Sequence, residues 1–347
     1  MTTIKTNPHR AIDYSESGVK KALEAAGSLE AEVKYDGVRL NLTVFPTGET
    51  QWLSRESKEL PALSHLSNPA SRQHEGVVTR ADDWRWFLKQ AGYEGAGLMI
   101  DGEVMVKGVD FNTSSGLIRT KYRDHKNHEF AVGGTPTDRK SRKELFNLKP
   151  ERIKVIVYGI IDLPTIESGA EGPIHSVTRL RAEAIVPLLQ KYFPEIDWVL
   201  SESHTVFDLE SLNSLYEQKR LEGHEGLVVK DPLGRYKRGK KSGMWKMKPS
   251  EEADGHVVRP VWGTEGLAND GLVIGFDVML ENGMEVSATN ISRALMSEFT
   301  ENVKSDPDHY KGWACQITYM EETPDGSLRH PSFYQWRGTE DEPTVKI

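Results

Sequence analysis

The sequence predicts an α+β protein made of antiparallel sheets with helices packed outside them, followed by a small β-barrel domain. Three observations support this prediction. The chain has 347 residues, which is more than one hydrophobic core usually organises. Segments with apolar side chains at every second position are interspersed with helical segments. The net charge changes from +3 over residues 1–249 to −11 over residues 250–347.

Each element follows from its local pattern. Ser15 or Ser17 can cap an opening helix, and Gly27 can end it. Residues 38–44 alternate apolar and polar side chains, which predicts a half-buried strand. The same criteria predict strands at Leu98–Val106, Lys154–Leu163, Gly226–Lys230 and Met244–Lys248, and helices at Ala81–Ala91, Val177–Tyr192 and Leu209–Glu222.

A polar loop and a domain boundary are predicted between the later elements. Residues 124–150 are polar and indicate an extended surface loop. Pro249 and Ser250 stand where the charge shifts, which indicates a linker between domains at 1–249 and 250–347. Short elements that suit a small barrel follow, namely strands at Gly255–Trp262, Leu272–Leu280, Met284–Ala288 and Gly312–Met320, and a helix at Ser292–Val303.

Composition excludes several classes of protein. A hydrophobic fraction of 37% is too high for a disordered or fibrous chain. The single cysteine, Cys315, excludes an intramolecular disulfide framework and a cysteine-based zinc site. Apolar stretches such as Val155–Ile161 fall far short of the roughly 20 residues of a membrane span. We therefore expect no membrane partner and a cytoplasmic location.

Positive charge is local. The overall net charge of −8 argues against a nucleic-acid partner. However, Arg119–Lys154 contains 11 basic and 5 acidic residues, and Arg235–Lys248 contains 7 basic residues and no acidic one. These two segments are the candidates for binding an anionic polymer.

The most informative motif is Lys34-Tyr-Asp-Gly-Val-Arg39, between two strand candidates. A lysine amine attacks phosphorus only when it is unprotonated, and desolvation or neighbouring positive charge favours that form. Gly37 permits a sharp reversal, and Asp36 could position the amine or help to hold a metal. An isolated motif of this kind is as often a solvated turn between strands, so it needs support from other residues.

Support comes from later segments. In the strand predicted at 98–106, Glu103 lies on the face opposite the apolar side chains and can line a site. Tyr158 shares parity with Ile156 and Ile160, so it is either a core tyrosine or a ring that stacks on a nucleobase.

Glu225 and Lys230 flank a buried strand and would face opposite ways if it were regular, so Lys230 enters the site only if the strand bends. Lys246 and Lys248 share one strand face beside apolar residues. Phosphate is their natural partner, and a solvated edge that resists aggregation is the alternative.

Taken in order, these motifs resemble those of the covalent nucleotidyltransferase superfamily, namely KYDGVR, Ser54-Arg55, Glu103 in DGEVMV, Tyr158, EGLVVKD and WKMKP. Within it the chain is most similar to the small ATP-dependent DNA ligases of short-tailed bacteriophages. The resemblance covers both predicted domains. It implies an ATP-grasp-like adenylation domain followed by an OB-fold barrel.

The resemblance implies that Lys34 attacks the α phosphate of ATP, that AMP passes to the 5′ phosphate of a DNA nick, and that the 3′ hydroxyl then expels AMP. Such an enzyme acts in DNA replication, repair and recombination. The expected cofactors are ATP as co-substrate and Mg²⁺, and the expected partner is nicked double-stranded DNA. We expect a monomer, located in the host cytoplasm if the protein is viral.

The resemblance also assigns residues to ligands. Catalytic contacts with the phosphates are expected from Lys34, Lys246 and Lys248; nucleotide or nick contacts from Glu32, Tyr35, Arg39, Arg55, Glu103, Tyr158, Lys230 and Arg337; and metal contacts from Glu225 and Asp36.

The last motif departs from the family pattern, because the usual Arg-x-Asp-Lys lacks its lysine here and Arg337 stands without it. Three alternatives remain open from the sequence. They are an mRNA-capping guanylyltransferase, an RNA ligase with the same lysine chemistry, and a non-catalytic DNA-binding relic.

Overall fold

The computed structural model describes residues 2–67, 81–133, 144–248, 251–289, 291, 293–319, 322, 326–328 and 331–346, without the side chains of residues 217, 220 and 221. The chain divides into two compact units, Met1–Met247 and Lys248–Ile347. The predicted boundary between Pro249 and Ser250 lies outside the described residues. The domain bounds of the sequence analysis therefore stay a prediction.

The described part of the first unit combines strands and helices in alternation. Its strands are β1 (His9–Asp13), β2 (Leu29–Lys34), β3 (Val38–Val44), β4 (Thr50–Ser54), β5 (Leu98–Val106), β6 (Ile153–Asp162), β7 (Asp197–Leu200), β8 (Ser203–Val206), β9 (Gly226–Lys230) and β10 (Gly239–Met247). Its α-helices are α1 (Glu16–Ala26), α2 (Ala81–Ala91), α3 (Phe111–Arg119), α4 (Leu163–Ser168), α5 (His175–Tyr192) and α6 (Leu209–Leu221).

The strands form two five-stranded sheets. The first sheet has the order β1-β10-β9-β2-β8, and the second has the order β4-β3-β5-β6-β7. Most neighbours are antiparallel, as predicted, but β1 pairs with β10 and β6 pairs with β7 in parallel. Each sheet buries one face under helices. The opposite faces of the two sheets contact each other at the candidate site described below.

The opening helix forms where the sequence predicts it. The side chain of Ser15 accepts a hydrogen bond from the backbone N–H of Gly18 and caps α1. Gly27 ends the helix at φ 75°, where its N–H donates to the carbonyl of Leu23. The helix buries Val19 against the first sheet, together with Trp245 of β10.

Strand β3 differs from its predicted half-burial. Leu40 and Leu42 pack in the core under the helices, as the alternation predicts. On the opposite face Asn41 and Thr43 are also fully buried. The cause is a tertiary contact: the N-terminal segment covers this face, and the hydroxyl of Thr6 donates to Asn41 Oδ1 at 2.8 Å.

Residues 124–150 are not simply a surface loop. Residues 134–143 lie outside the described part. On either side of them Phe130, Phe146 and Leu148 are buried in the core of the second sheet. Isolated bridges join Tyr122 to Leu145 and Ala131 to Leu148. The prediction overlooked these few apolar side chains because polar residues surround them.

The second unit is a five-stranded antiparallel sheet with the order β13-β12-β11-β14-β15. Its elements are β11 (Glu251–Trp262), β12 (Val273–Leu280), β13 (Glu285–Ala288), α7 (Arg293–Ser305), β14 (Ala314–Tyr319) and β15 (Ser332–Trp336). Among the described residues the edge strands β13 and β15 form no continuous ladder, and an isolated bridge joins Thr289 to Ser332. Closure into a barrel stays a prediction.

Aromatic side chains fill the core of the second unit. Phe276 lies at its centre, with ring centroids of Phe299 at 4.9 Å and Tyr310 at 5.3 Å. Cys315 is fully buried in the same core. In the part of the chain that the structure describes, no helix is both long and apolar enough to cross a membrane.

Candidate active site

Lys34 is the last residue of β2, where it pairs with Gly226 of β9. Its amine donates a hydrogen bond to the carboxylate of Glu225. The Glu225 side chain is 7% exposed and that of Lys34 is 25% exposed. The fold thus places a buried carboxylate directly against an amine that solvent can reach.

The start of β9 explains how Glu225 and Lys230 reach the same site. Lys34 pairs with Gly226 and Glu30 pairs with Lys230, so the two lysines point to the same side of the sheet. Gly226 has φ 149°, which side chains other than glycine rarely adopt. The chain turns there, so Glu225 lies on the same side of the sheet as Lys34 and Lys230. In a regular strand it would lie on the opposite side. The sequence analysis required a bend for Lys230 to enter the site. The bend lies at Gly226, the first residue of β9, and the rest of the strand is regular.

Lys246 extends this group. It pairs with Val228, which in turn pairs with Glu32 of β2, so Lys246 and Glu32 share one side of the first sheet. Trp245 alternates to the other side and packs in the core with α1. We call the side that carries Glu32, Lys34, Lys230 and Lys246 the site face.

Glu32 is the most enclosed group on the site face, with a side chain only 4% exposed. Its Oε1 lies 2.7 Å from Nζ of Lys230. Its Oε2 accepts a hydrogen bond from the Ser201 hydroxyl at 2.6 Å and lies 3.9 Å from Nη1 of Arg179. These partners hold the carboxylate in one orientation.

A bulge in the second sheet aims Tyr158 at the site. The register between β5 and β6 shifts between Asp101 and Gly102, which leaves Tyr158 without a direct pair. As a result Ile160 lies in the core, whereas Tyr158 points away from it despite the shared parity. Its ring centroid lies 5.7 Å from Nζ of Lys230, across the two sheets.

Glu103 has an unusual protonation behaviour. Burial raises the pKa of its carboxyl to about 7, although the charges of Arg39 and Lys34 act in the opposite direction. The Tyr158 hydroxyl donates to Glu103 Oε2 at 3.2 Å. Near neutral pH the group can therefore both accept and donate hydrogen bonds.

Arg39 is held by a carboxylate that the sequence analysis did not include. Its Nε lies 2.6 Å from Oδ1 of Asp101, and its Nη2 lies 2.7 Å from Oδ2. The guanidinium carbon is 5.2 Å from the ring centroid of Tyr158. Arg39 therefore lies beside Tyr158 with a fixed orientation.

The turn between β2 and β3 carries Tyr35, Asp36 and Gly37. The Tyr35 hydroxyl accepts a hydrogen bond from the backbone N–H of Glu202 at 3.2 Å. A Cβ atom on Gly37 would lie 2.6 Å from Cγ of Glu103, so only glycine fits at this close approach. Asp36 is half-buried in this turn, adjacent to the site.

Matches to known proteins agree with this geometry. The model of the ATP dependent DNA ligase domain matches residues 13–248, and that of the DNA ligase C-terminal domain matches residues 249–308 and 305–337. The DNA ligase of Escherichia phage T7 is 52% identical, and that of Enterobacteria phage T3 is 51% identical, each over 100% of both chains. The chain belongs to the ATP-dependent DNA ligases.

A solved structure gives the same answer for the fold. The ATP-dependent DNA ligase from bacteriophage T7, in complex with ATP, aligns with a TM-score of 0.64 at 50% identity over 97% of this chain and 100% of that one. The prediction of an ATP-dependent DNA ligase is thereby confirmed. The capping enzyme, the RNA ligase and the non-catalytic relic receive no support from these matches.

Three further predicted site residues of the ligase follow strands β4, β10 and β15. Arg55 is in an exposed turn after β4, where its Nε lies 3.3 Å from Oε1 of Glu56. Lys248 follows β10 and belongs to the second unit. Arg337 follows β15 in the second unit, where its Nε lies 3.2 Å from Oδ1 of Asp254.

The candidate site also contains residues to which the sequence analysis assigned no role. Arg179 and Ser201 contact Glu32, while Asp101 and Tyr236 form one group with Arg39. Asp101 shares the polar face of its strand with Glu103, and this parity was a usable signal. Arg179, Ser201 and Tyr236 are distant in sequence from the residues that they contact, so no local pattern predicts them.

Proposed function

We propose that this ligase seals nicks through an adenylate on Lys34. The amine attacks the α phosphate of ATP and expels pyrophosphate, which leaves AMP in a phosphoamide bond. AMP then passes to the 5′ phosphate of the nick, and the 3′ hydroxyl displaces it. The observation that carries the proposal is the Lys34–Glu225 hydrogen bond at the edge of the basic site face.

The pocket beside Lys34 suits a nucleoside. Glu32 offers buried carboxylate oxygens for an exocyclic amine, and the Tyr158 ring offers a stacking surface. We assign Glu103 to accept a hydrogen bond from the ribose, and Arg39 to bind the ribose or the nick phosphate. Tyr35 borders the same pocket, and we assign Lys230 to orient Glu32.

Phosphate contacts are assigned to Lys246 and Lys248, whose charges would stabilise the oxygens on which negative charge develops. Among the described residues, no three acidic, histidine or cysteine side chains converge as a metal site. Mg²⁺ commonly uses one or two carboxylates together with substrate phosphates, so Glu225, with Asp36 in the adjacent turn, fits it. When bound, the ion would polarise the reacting phosphate.

We assign a different part of the reaction to each predicted domain. We assign adenylation to residues 1–249 and an OB-fold that contributes Arg337 to residues 250–347. Basic side chains in the described parts of Arg119–Lys154 and Arg235–Lys248 would contact the backbone of nicked duplex DNA. We further propose that the ligase works as a monomer.

Radiolabelled nucleotide tests the proposal. The chain is incubated with Mg²⁺ and ATP or GTP labelled at the α phosphate, denatured and separated on a gel, and then assayed on a singly nicked duplex. We expect label from ATP to remain on the denatured chain and the nick to be sealed. Preferential labelling by GTP, or label without sealing of DNA, would contradict the proposal.

A further inference from the structure

The carboxylate of Asp101 accepts four hydrogen bonds in a symmetrical arrangement. Oδ1 accepts from Nε of Arg39 at 2.6 Å and from Nδ2 of Asn41 at 3.0 Å. Oδ2 accepts from Nη2 of Arg39 at 2.7 Å and from the hydroxyl of Tyr236 at 2.7 Å. Each oxygen therefore has one bond to Arg39 and one bond to a residue that fixes the carboxylate.

Tyr236 reaches Asp101 from a loop between two strands of the other sheet. It lies in the connection between β9 and β10 of the first sheet, whereas Asp101 is on β5 of the second sheet. The Tyr236 side chain is buried, and its ring packs edge-on against His9 of β1, with centroids 5.8 Å apart. Burial and the Asp101 charge raise the pKa of Tyr236 well above its ordinary value, so the hydroxyl remains a donor.

The orientation of Arg39 depends on this arrangement. Two of its nitrogens are bound to Asp101, and Nη2 also donates to the carbonyl of His9 at 3.3 Å. Among the described residues Nη1 of Arg39 has no hydrogen-bond partner. Its two N–H groups can therefore donate to a ligand bound beside Tyr158. A rotation of the Asp101 carboxylate would redirect those N–H groups.

We propose that Tyr236 is a positioning residue for ligation: it locks the Asp101 carboxylate across the two sheets, and thereby aims the guanidinium of Arg39 at the nucleotide or nick. This inference rests on the proposed role of Arg39. Tyr236 touches no reacting atom and acts through Asp101. Without its hydroxyl, Oδ2 keeps only its bond to Arg39 among the described residues.

A double-mutant cycle tests the proposal in the full-length enzyme. Tyr236→Phe removes only the hydroxyl, and Arg39→Lys keeps the charge but cannot bind a carboxylate in the same two-pronged way. Single-turnover sealing of a nick is measured with saturating ATP and enzyme, at a temperature where circular dichroism shows every variant folded. We expect Tyr236→Phe to slow sealing about 10-fold, because small displacements of a positioned group have effects of this order or larger.

In the Arg39→Lys background the same Tyr236→Phe change should slow sealing by less than about 2-fold, since the group it positions is already lost. Tyr310→Phe is the matched control, because Tyr310 is equally buried and its hydroxyl accepts from Asn302 within the second unit. It should seal at the wild-type rate.

Equal slowing by Tyr236→Phe in both backgrounds would show a general structural effect and overturn the proposal. An unchanged rate in Tyr236→Phe would also overturn it. Failure of the wild-type chain to take label from ATP or to seal any nick would instead contradict the proposed function. The two failures are therefore distinguishable.

Discussion

Nζ of Lys246 lies 2.9 Å from Oδ1 of Asp13. This ion pair joins β10 to β1, a strand that the sequence analysis did not predict. The bond to Lys246 is the main cause that lowers the pKa of Asp13, although Asp13 itself is largely exposed. Lys246 is therefore held in place on the site face by a partner within the first sheet.

Lys246→Ala should slow self-adenylation at least about 10-fold, because one contact with developing phosphate charge is worth a few kcal/mol. Lys240→Ala is the matched control, since Lys240 pairs with the same carboxylate, with Nζ 3.3 Å from Oδ2 of Asp13. It should adenylate within about 2-fold of wild type. Rates are measured as label incorporated from ATP without DNA. Equal slowing in both variants would assign the effect to Asp13 and β1.

Lys34→Ala should abolish labelling of the chain by ATP, because it removes the proposed nucleophile. The fold should remain intact. It should still seal a nick that already carries a 5′ adenylate, though slowly, since that step needs no new lysyl adenylate. Lys20→Ala, on the exposed side of α1, is the control and should behave as wild type. Label retained on the Lys34→Ala chain near the wild-type level would refute the assignment.

The sequence predicted the elements whose pattern is strong and repeated. Strand β5 and helix α2 were both predicted at their observed bounds, Leu98–Val106 and Ala81–Ala91. Strands β7 and β8 have four residues each, which is too short for a period to be recognised. Strand β1 is recognisable only by its parallel pairing with β10, more than 200 residues later.

The site was predictable where a motif is contiguous and unpredictable where the tertiary fold assembles it. Lys34 and Glu225 were named from the sequence, and the fold joins them. Tyr158 was ambiguous because parity cannot reveal the bulge at Asp101 that separates it from Ile160. Tyr236 is 135 residues from Asp101, and no local pattern connects the two.

Glu103 provides a prediction about pH. Its pKa is about 7 in the folded protein and about 4.5 when unfolded, so the folded state holds the proton more tightly between these values. Wild-type stability should therefore fall relative to Glu103→Gln as the pH rises from 4.5 to 7, by up to about 3 kcal/mol, and the difference should be constant above that. Chemical unfolding followed by tryptophan fluorescence at several pH values measures it.

Other buried groups titrate in the same range but cancel in this comparison. Burial lowers the pKa of His9 and of His65 to about 4. The contribution of each histidine to the stability of the protein therefore decreases as the pH falls, equally in wild type and variant. Glu24→Gln, on the exposed side of α1, is the control and should show no pH-dependent difference. A flat difference for Glu103→Gln would show that its carboxyl is not buried as described.

The last prediction concerns Arg337, for which we propose a contact with the outer phosphates of ATP. Asp254 holds two cations in the second unit: Arg337 Nε lies 3.2 Å from Oδ1 and Lys346 Nζ lies 2.7 Å from Oδ2. Arg337→Ala should slow self-adenylation at least about 10-fold, and Lys346→Ala, which removes the other partner of Asp254, less than about 2-fold.

Sealing of a nick that already carries a 5′ adenylate separates a role in ATP binding from a structural one. That step uses no outer phosphates of ATP, so Arg337→Ala should perform it within about 3-fold of wild type. If Arg337→Ala slows this step as much as adenylation, the arginine stabilises the second unit or the DNA complex instead. If Arg337→Ala adenylates at the wild-type rate, the assignment of Arg337 to the ATP phosphates is wrong. The absence of a lysine from the last motif would then mean that this segment does not bind ATP.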